Sequence, residues 1–557
     1  MNFDLVIVGG GSAGCVLASR LSADASRSVC LIESGIDTLP GQEPDVVKDV
    51  YYSTLYEPSL FWPSLRVASN AARAGKAALR PYEQGRVLGG GSAVNAMIGM
   101  RGLPGDHDEW ALPGWSWKDV LPWYRHLERD VDWQGSHHGD GGPIPIRRHP
   151  RASWPGFCQA VASHLESQGW AHHPDMNGEP VDGLFEVPMT STPSQRVSTA
   201  MGYLTAQVRA RSNLTVMCET EALRLEVRER RVVGVVVRRA GSEVLLEAGE
   251  TCVCAGAIHT PVMLQRSGIG PREVLLEAGI SCAIDLPGVG RGLQDHPMVS
   301  VASHLKREVR QPASLRAAAN LGLRYSSGVE GCHPHDMYVS VANKGSWHAL
   351  GQQIGAMVLC LYKPYSRGTV AVRSPLAEDE PEVDFNLLSD PRDEQRLVEA
   401  VRFAAQVYSG EALRRVTNAA FPAGLTQRVR ELNLVTGRNR MVAGMGAALL
   451  DGPGPLRDWL LAHVVNDGPT LQALLADETA LRNWIRSRVI PFYHASGTCR
   501  MGLLTDASAV VDPQCRVIGV SGLSVVDASV FPSIPRANTN LPVIMLAEKV
   551  AAQWAAH

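Results

Sequence analysis

The chain has 557 residues, 45 % of them hydrophobic and 20 % charged, with a formal net charge of −3; a length of this order predicts about two to four packed units rather than one core. The charge balance is near neutral and shows no Lys/Arg run, which argues against nucleic acid as a partner. No apolar run approaches the ~20 residues of a membrane-spanning helix and the N-terminal one is too short for a signal segment, so the expected location is the cytoplasm.

In chain order the first element is a strand. Leu5, Val6, Ile7 and Val8 form an apolar, β-branched run bounded by glycines, the pattern of a buried parallel strand. Gly9, Gly11 and Gly14 follow at G-x-G-x-x-G spacing, enclosing Ser12 and Ala13. Such glycines permit a tight turn, close backbone approach to a pyrophosphate, and tight helix-on-strand packing. The segment after them is helical in pattern, so its positive N-terminal end points at the phosphates. A second strand, residues 28–32, ends at Glu33, about the ~20 residues beyond the glycines where an acid takes ribose hydroxyls. Together these elements predict a bound dinucleotide, with NAD and FAD fitting equally well.

Residues 36–80 lose periodicity and carry four prolines and an aromatic cluster that includes Tyr51, Tyr52, Tyr56, Phe61 and Trp62. Long irregular excursions of this kind are usually functional or interfacial. Arg86 then leads into residues 87–102, VLGGGSAVNAMIGMRG. There Gly90, Ser92 and Asn95 suit either a second anion contact or a tight turn with Ser92 as helix N-cap. Helices are expected at 114–133, 157–169 and 199–211, with a loop and candidate boundary at 139–145. Runs at 213–217, 222–227, 231–239 and 243–248 read as a meander, and 250–255 as a further buried strand carrying Cys252 and Cys254.

The eleven cysteines contain no C-x-x-C pair and the paired histidines lack ligand spacing, so no metal site is expected. A helix follows at 256–267 and a Gly-rich loop at 285–295. Strands are expected at 337–341, 354–361 and 368–373, and helices at 392–406 and 478–489; residues 451–474 have no regular reading. The C-terminal part is dense in motif: PFYHASGTCRMG from 491, a hairpin-like unit at 510–520, LSVVDASVFPSI from 523, and a final helix at 543–555 preceded by Asn538 and Asn540.

These motifs, in this order and over nearly the whole chain, resemble the glucose-methanol-choline family of FAD-dependent oxidoreductases. Residues 82–86, 142–146 and 383–393 are most similar to bacterial oxidases of primary alcohols on aromatic rings, the hydroxymethylfurfural oxidase and pyridoxine oxidase type. The resemblance implies an α/β, Rossmann-like FAD-binding domain built from residues 1–140, 196–296 and 491–557. It implies an α+β substrate domain with an antiparallel sheet from residues 141–195 and 297–490. Carried over by position, Gly9, Gly11, Ser12, Ala13, Gly14 and Glu33 hold the ADP half. Arg86, Gly90, Ser92 and Asn95 lie near the pyrophosphate and ring, and Asp527, Ala528 and Asn540 close over the cofactor. Some relatives link the flavin through a histidine just before the asparagine; here Val94 stands there, so non-covalent FAD is expected.

His494 matches the catalytic histidine and Asn538 the position that holds histidine or asparagine. Imidazole suits removal of a hydroxyl proton, and an amide donor can hold the alkoxide without titrating. Phe492 and Tyr493 are expected to line the pocket for a small-molecule alcohol, with O2 or another electron acceptor completing the reaction. Two alternatives stay open: a hydroxynitrile-lyase type of FAD protein, which has no net redox chemistry, and an acceptor-dependent dehydrogenase of choline or aliphatic alcohols.

Overall fold

The computed structural model describes residues 2–70, 79–317, 319–466 and 468–555; residues 71–78 of the irregular excursion lie outside it. The first strand, Asn2–Val8, sits in the middle of a seven-stranded sheet. It pairs in parallel with Val29–Ile32 on one side and Ser242–Val253 on the other. Val6 and Ile7 are 0 % exposed, which is why the run carries no alternating polar residues. Leu523–Val525 joins the same sheet from the far end of the chain, parallel to Ser242–Val253.

The helix after the glycines, Ser12–Leu21, packs along the last one, Asn540–Ala555. Arg20 and Glu548 form an ion pair between them, and the Tyr203 hydroxyl donates to the same carboxylate at 2.6 Å. The two chain ends are thus adjacent at the sheet's C-terminal edge, where doubly wound folds bind ligands.

A second core is built on an eight-stranded sheet. Its order runs Thr417–Ala423, Pro297–Leu305, Ile354–Leu361, Met337–Ala342, Ala319–Tyr325, Gly183–Glu186, His172–His173, with Ile490–Pro491 beside Pro297–Leu305. The pairings are antiparallel apart from the short edge strand His172–His173. Helices Gly156–Ser167 and Pro391–Ser409 supply much of the apolar cover, sharing one core with the sheet; the Asp390 carboxylate caps the second by accepting from the Arg392 amide at 2.9 Å.

The sequence reading needs several corrections. Residues 243–248 and 250–255 form one continuous strand, and Leu214–Met217 leaves the meander to pair in parallel with Val29–Ile32. Residues 199–211 break into Thr199–Tyr203 and Ala206–Arg209, each restarted by its own hydroxyl cap, Ser198 and Thr205. The helix expected at 114–133 ends at Leu127 and passes into the strand Glu128–Asp130. The hairpin-like unit at 510–520 is closed by an antiparallel bridge between Val511 and Val517. The last helix begins at Asn540, three residues early. Pro297–Leu305, Ala319–Tyr325 and Thr417–Ala423 are strands that the pattern did not reveal, and 451–474 contains the short helices Gly454–Leu460 and Leu471–Ala476.

Away from the sheets' edges, Glu128, Asp130 and His138 bring metal-type ligand atoms within 4.8 Å of one another. Arg148 forks onto Asp130, Arg101 pairs with Glu128, and His138 Nε2 lies 2.9 Å from Asp175. Burial by itself lowers the His138 pKa, but its bonds to Asp130, Asp175 and Glu128 raise it to about 10. With Asp132 also 3.7 Å from Arg148, four carboxylates face three cations in an ion-pair network that holds the segment after the tryptophan-rich helix.

Candidate active site

Between the two sheets lies a cavity of about 600 Å³, lined from both chain ends and both cores. At its nucleotide end two glycine turns interlock. Gly9 has φ +104°, and a Cβ there would stand 2.5 Å from the Cys254 carbonyl oxygen. A Cβ on Gly90 would stand 2.6 Å from the Gly11 Cα, and one on Gly14 2.0 Å from the Gly9 oxygen. No side chain fits at these places, and bare backbone is left facing the cavity. The Ser12 hydroxyl donates to Asn540 Oδ1 at 2.8 Å, so the N-termini of the first and last helices converge on the same wall. Two positive helix ends side by side form an anion site.

Glu33 accepts from the Gly10 and Gly35 amides at 2.9 and 2.8 Å and also lines the cavity. Burial pushes its carboxyl up to about 7 against the pull of those amides. Asp527 is similarly engaged: it accepts from the Gly256 amide (2.8 Å), the Thr260 hydroxyl and the Ser529 amide (2.7 Å). It ties the C-terminal segment to the start of the helix Gly256–Arg266, and Ala528 beside it lines the cavity.

At the other end the chemistry is carried by side chains. His494 Nε2 lies 3.0 Å from Asn538 Nδ2, and its Nδ1 lies 2.8 Å from Nδ1 of His296. His296 Nε2 is 3.1 Å from the Pro535 carbonyl. A carbonyl only accepts, so His296 carries its proton on Nε2 and its Nδ1 is a lone pair. The hydrogen shared between the two Nδ1 atoms then belongs to His494, and Nε2 of His494 is left as the free base. Asn538 is oriented by the same reasoning: the Tyr362 hydroxyl donates to its Oδ1 at 3.1 Å, which turns the NH2 toward His494.

Burial lowers the His494 pKa to about 3 and holds His296 well below its ordinary value, with the His494 ring adding to the effect. Both rings are neutral at ordinary pH. Asp295 fixes the backbone beneath the base, its two oxygens accepting from the Phe492 and His494 amides at 2.9 Å each. Burial raises this carboxyl to about 7 against those two bonds. Tyr493, between the two anchored residues, is held at φ +63° with its hydroxyl donating to Glu83 at 2.8 Å. A bulky residue in that region is strained, and strain of this kind collects at working sites. The Phe492 ring meets His494 edge-on at 4.9 Å.

Of the expected site residues, Gly9, Gly11, Ser12, Ala13, Glu33, Gly90 and Asn95 line the cavity, as do Phe492, Tyr493, His494, Asp527, Ala528, Asn538 and Asn540. Gly14, Arg86 and Ser92 stand behind the lining. Gly14 packs the helix onto the strand, and the Arg86 guanidinium lies 5.2 Å over the Trp62 ring. Ser92 is neither an anion ligand nor an N-cap: its hydroxyl donates to the Gly89 carbonyl at 2.6 Å and accepts from the Thr199 amide at 2.9 Å, closing the turn. Asp295, His296 and Tyr362 are new. Asp295-His296-Pro297, at the end of a Gly-rich loop and the start of a strand, carried a signal; Tyr362 carried none.

The GMC oxidoreductase family patterns match residues 3–298 and 364–547. The chain is 39 % identical to 5-(hydroxymethyl)furfural oxidase of Methylovorus sp. (strain MP688), over 99 % of this chain and 98 % of that one. Among solved structures it is similar to pyridoxine 4-oxidase from Mesorbium loti, with a TM-score of 0.82 and 27 % identity over 100 % of both chains. It also shares the fold of a fungal aryl-alcohol oxidase, with a TM-score of 0.75 and 22 % identity over 99 % of each chain. The interlocked glycine turns, the paired helix ends and the histidine–asparagine pair thus occur in a chain that belongs to the GMC oxidoreductase family.

Proposed function

We propose that the protein is an FAD-dependent oxidase of primary alcohols borne on aryl or heteroaryl rings, which it converts to aldehydes. The observation that carries this reading is the His494–Asn538 pair, a neutral base and an amide donor aimed at one point of a cavity whose opposite end is a dinucleotide cradle. The relative that shares 39 % of its residues is named for 5-(hydroxymethyl)furfural, a primary alcohol on a heteroaromatic ring.

The cradle fits FAD: bare glycine backbone, two helix ends and a ribose-facing acid match a pyrophosphate and its sugar. Gly9, Gly11, Ser12, Ala13 and Asn540 would hold the pyrophosphate and Glu33 the ribose, with Gly90, Asn95, Asp527 and Ala528 toward the ring. Val94 lines the cavity with an alkyl side chain that offers no atom for a covalent link, in keeping with non-covalent FAD. Bound there, FAD supplies the acceptor for the hydride that leaves the alcohol carbon.

The chain's own residues do the rest. A substrate hydroxyl entering between His494 and Asn538 donates to the free Nε2 and accepts from Nδ2, replacing their mutual bond with two. His494 takes the proton as the carbon–hydrogen bond breaks, while Asn538 holds the developing negative oxygen. His296 keeps the base in the productive tautomer, Asp295 keeps its backbone in place, and Tyr362 keeps the amide from flipping. Phe492, Tyr493, Tyr52 and Tyr56 give the cavity an aromatic wall suited to planar substrates.

No helix among the described residues is long and apolar enough to cross a membrane. All eleven cysteines are free, including Cys252 and Cys254 with sulfurs 3.7 Å apart, which supports a reducing compartment such as the cytoplasm.

The test is to purify the yellow protein and add an aryl alcohol without oxygen. Bleaching of the flavin band near ~450 nm, followed by peroxide when air is admitted, is the expected outcome. Unchanged colour across a panel of primary alcohols overturns the proposal.

A further inference from the structure

The cavity has a charged end that the oxidation of a neutral alcohol does not use. Its floor is the second sheet, where Ser300, Ser340, Ala342, Ala356 and Val358 present small side chains. Ser340 is paired with Val358, and Ala342 with Ala356. Beyond Ala342, where the strand ends, the next residue lining the cavity is Lys344.

Lys344 is half-buried, and its ammonium lies 4.1 Å over the ring of Tyr51, whose neighbour Tyr52 lines the same cavity. The nearest acid is already committed. Asp49 accepts from the Arg316 guanidinium, the Ser53 hydroxyl and the Tyr51 amide. Arg196, fully buried, adds a third positive charge near Asp49 and keeps its Nη2 without a partner. Asp49 and Arg316 line a shallow groove outside, together with the Asp45–Lys48 pair and Glu57. Of these charged groups Lys344 is the one that lines the cavity. Burial, with Arg316 adding to it, lowers the Lys344 ammonium to about 8 against the opposing pull of Asp49. Such a cation gains from a negative partner.

We infer that Lys344 is an anion subsite, and that the substrates this cavity takes best are elongated aryl alcohols with a carboxylate at the end remote from the hydroxymethyl group. The inference rests on the proposed alcohol oxidation. The His494–Asn538 pair and Lys344 line one cavity, whose wall also holds the rings of Tyr52, Tyr56 and Phe492. A ligand that spans both ends gains a charge-assisted bond that its neutral isostere lacks.

The test compares para,para-substituted hydroxymethyl-biphenyl carboxylate with its carboxamide as substrates of the holoenzyme. The acid is expected to have the higher kcat/KM by about tenfold, mainly through KM. That preference is expected to be lost in Lys344→Met and kept in Lys344→Arg. Equilibrium titration with biphenyl dicarboxylate, which carries no oxidisable alcohol, should show the same order of affinities. Equal kcat/KM for acid and amide in the native protein, or a preference that survives Lys344→Met, overturns the subsite while leaving the oxidase reading standing. No oxidation of either compound, nor of simpler aryl alcohols, fails the oxidase reading instead.

Discussion

The two ends of the cavity are built in opposite ways. The nucleotide end is made of backbone from short contiguous stretches: one glycine turn, a second turn locked into it, and the start of two helices. The chemical end is made of side chains brought from remote parts of the chain, with Asp295 and His296 from one loop, Tyr362 from a strand end, His494 and Asn538 from the C-terminal part. A backbone site tolerates no added atom, because its neighbours are rigid main chain. A side-chain site tolerates substitution sterically and fails chemically. The difference predicts distinct kinds of damage.

The greatest effect is expected at the nucleotide end. Gly14→Ala places a methyl 2.0 Å from the Gly9 carbonyl oxygen, so the protein should purify without flavin; a yellow, active variant would show that the turn yields. At the chemical end His494→Ala should keep its colour and lose about a hundred- to ten-thousand-fold in anaerobic flavin reduction, read by stopped-flow absorbance. Substitution of His296 by Phe removes the acceptor that selects the His494 tautomer. The expected loss is about tenfold, in kcat rather than KM and with full flavin content; an unchanged kcat would mean that the tautomer is set elsewhere.

The smallest effect is the absence of a His494 limb from the pH response. The folded His494 pKa of about 3 lies below its ordinary 6.5. The base is thus neutral above both values and becomes protonated only as pH falls toward the lower one. His494 itself should therefore give kcat/KM no acid limb near 6.5, and a limb near 7 belongs to Asp295 or Glu33, whose carboxyls burial raises to about 7. The same shift makes the unfolded chain the better proton binder between the two values, so this group's contribution to stability is present above 6.5 and lost as pH falls toward 3. A kinetic limb near 6.5 would show that His494 meets water more than its burial implies.

The two ends also differ in how far they were legible. Gly9, Gly11, Gly14 and Glu33 could be read because strand, turn, helix and acid follow one another within some thirty residues, and local spacing carries the geometry. His494 and Asn538 were reached through a family resemblance, since nothing local separates a catalytic histidine from a buried structural one. Ser92 shows the limit of spacing: its place after three glycines suited an anion, and the fold uses its hydroxyl to close a turn against Thr199. The strand Pro297–Leu305 escaped notice because its nine residues mix polar and apolar side chains, Met298 and Ser300 being the ones that line the cavity.

By itself the sequence determined that a dinucleotide binds near the N-terminus, because phosphate recognition by bare backbone requires glycine at set positions. That further elements of the site lie at the far end of the chain was implied only by the family resemblance. Only the tertiary structure decided which nitrogen of His494 is free and which way the Asn538 amide points. The same holds for Lys344, which the fold brings to the wall of the same cavity. Those properties depend on partners hundreds of residues away in sequence, which become neighbours only when two sheets close around a common cavity.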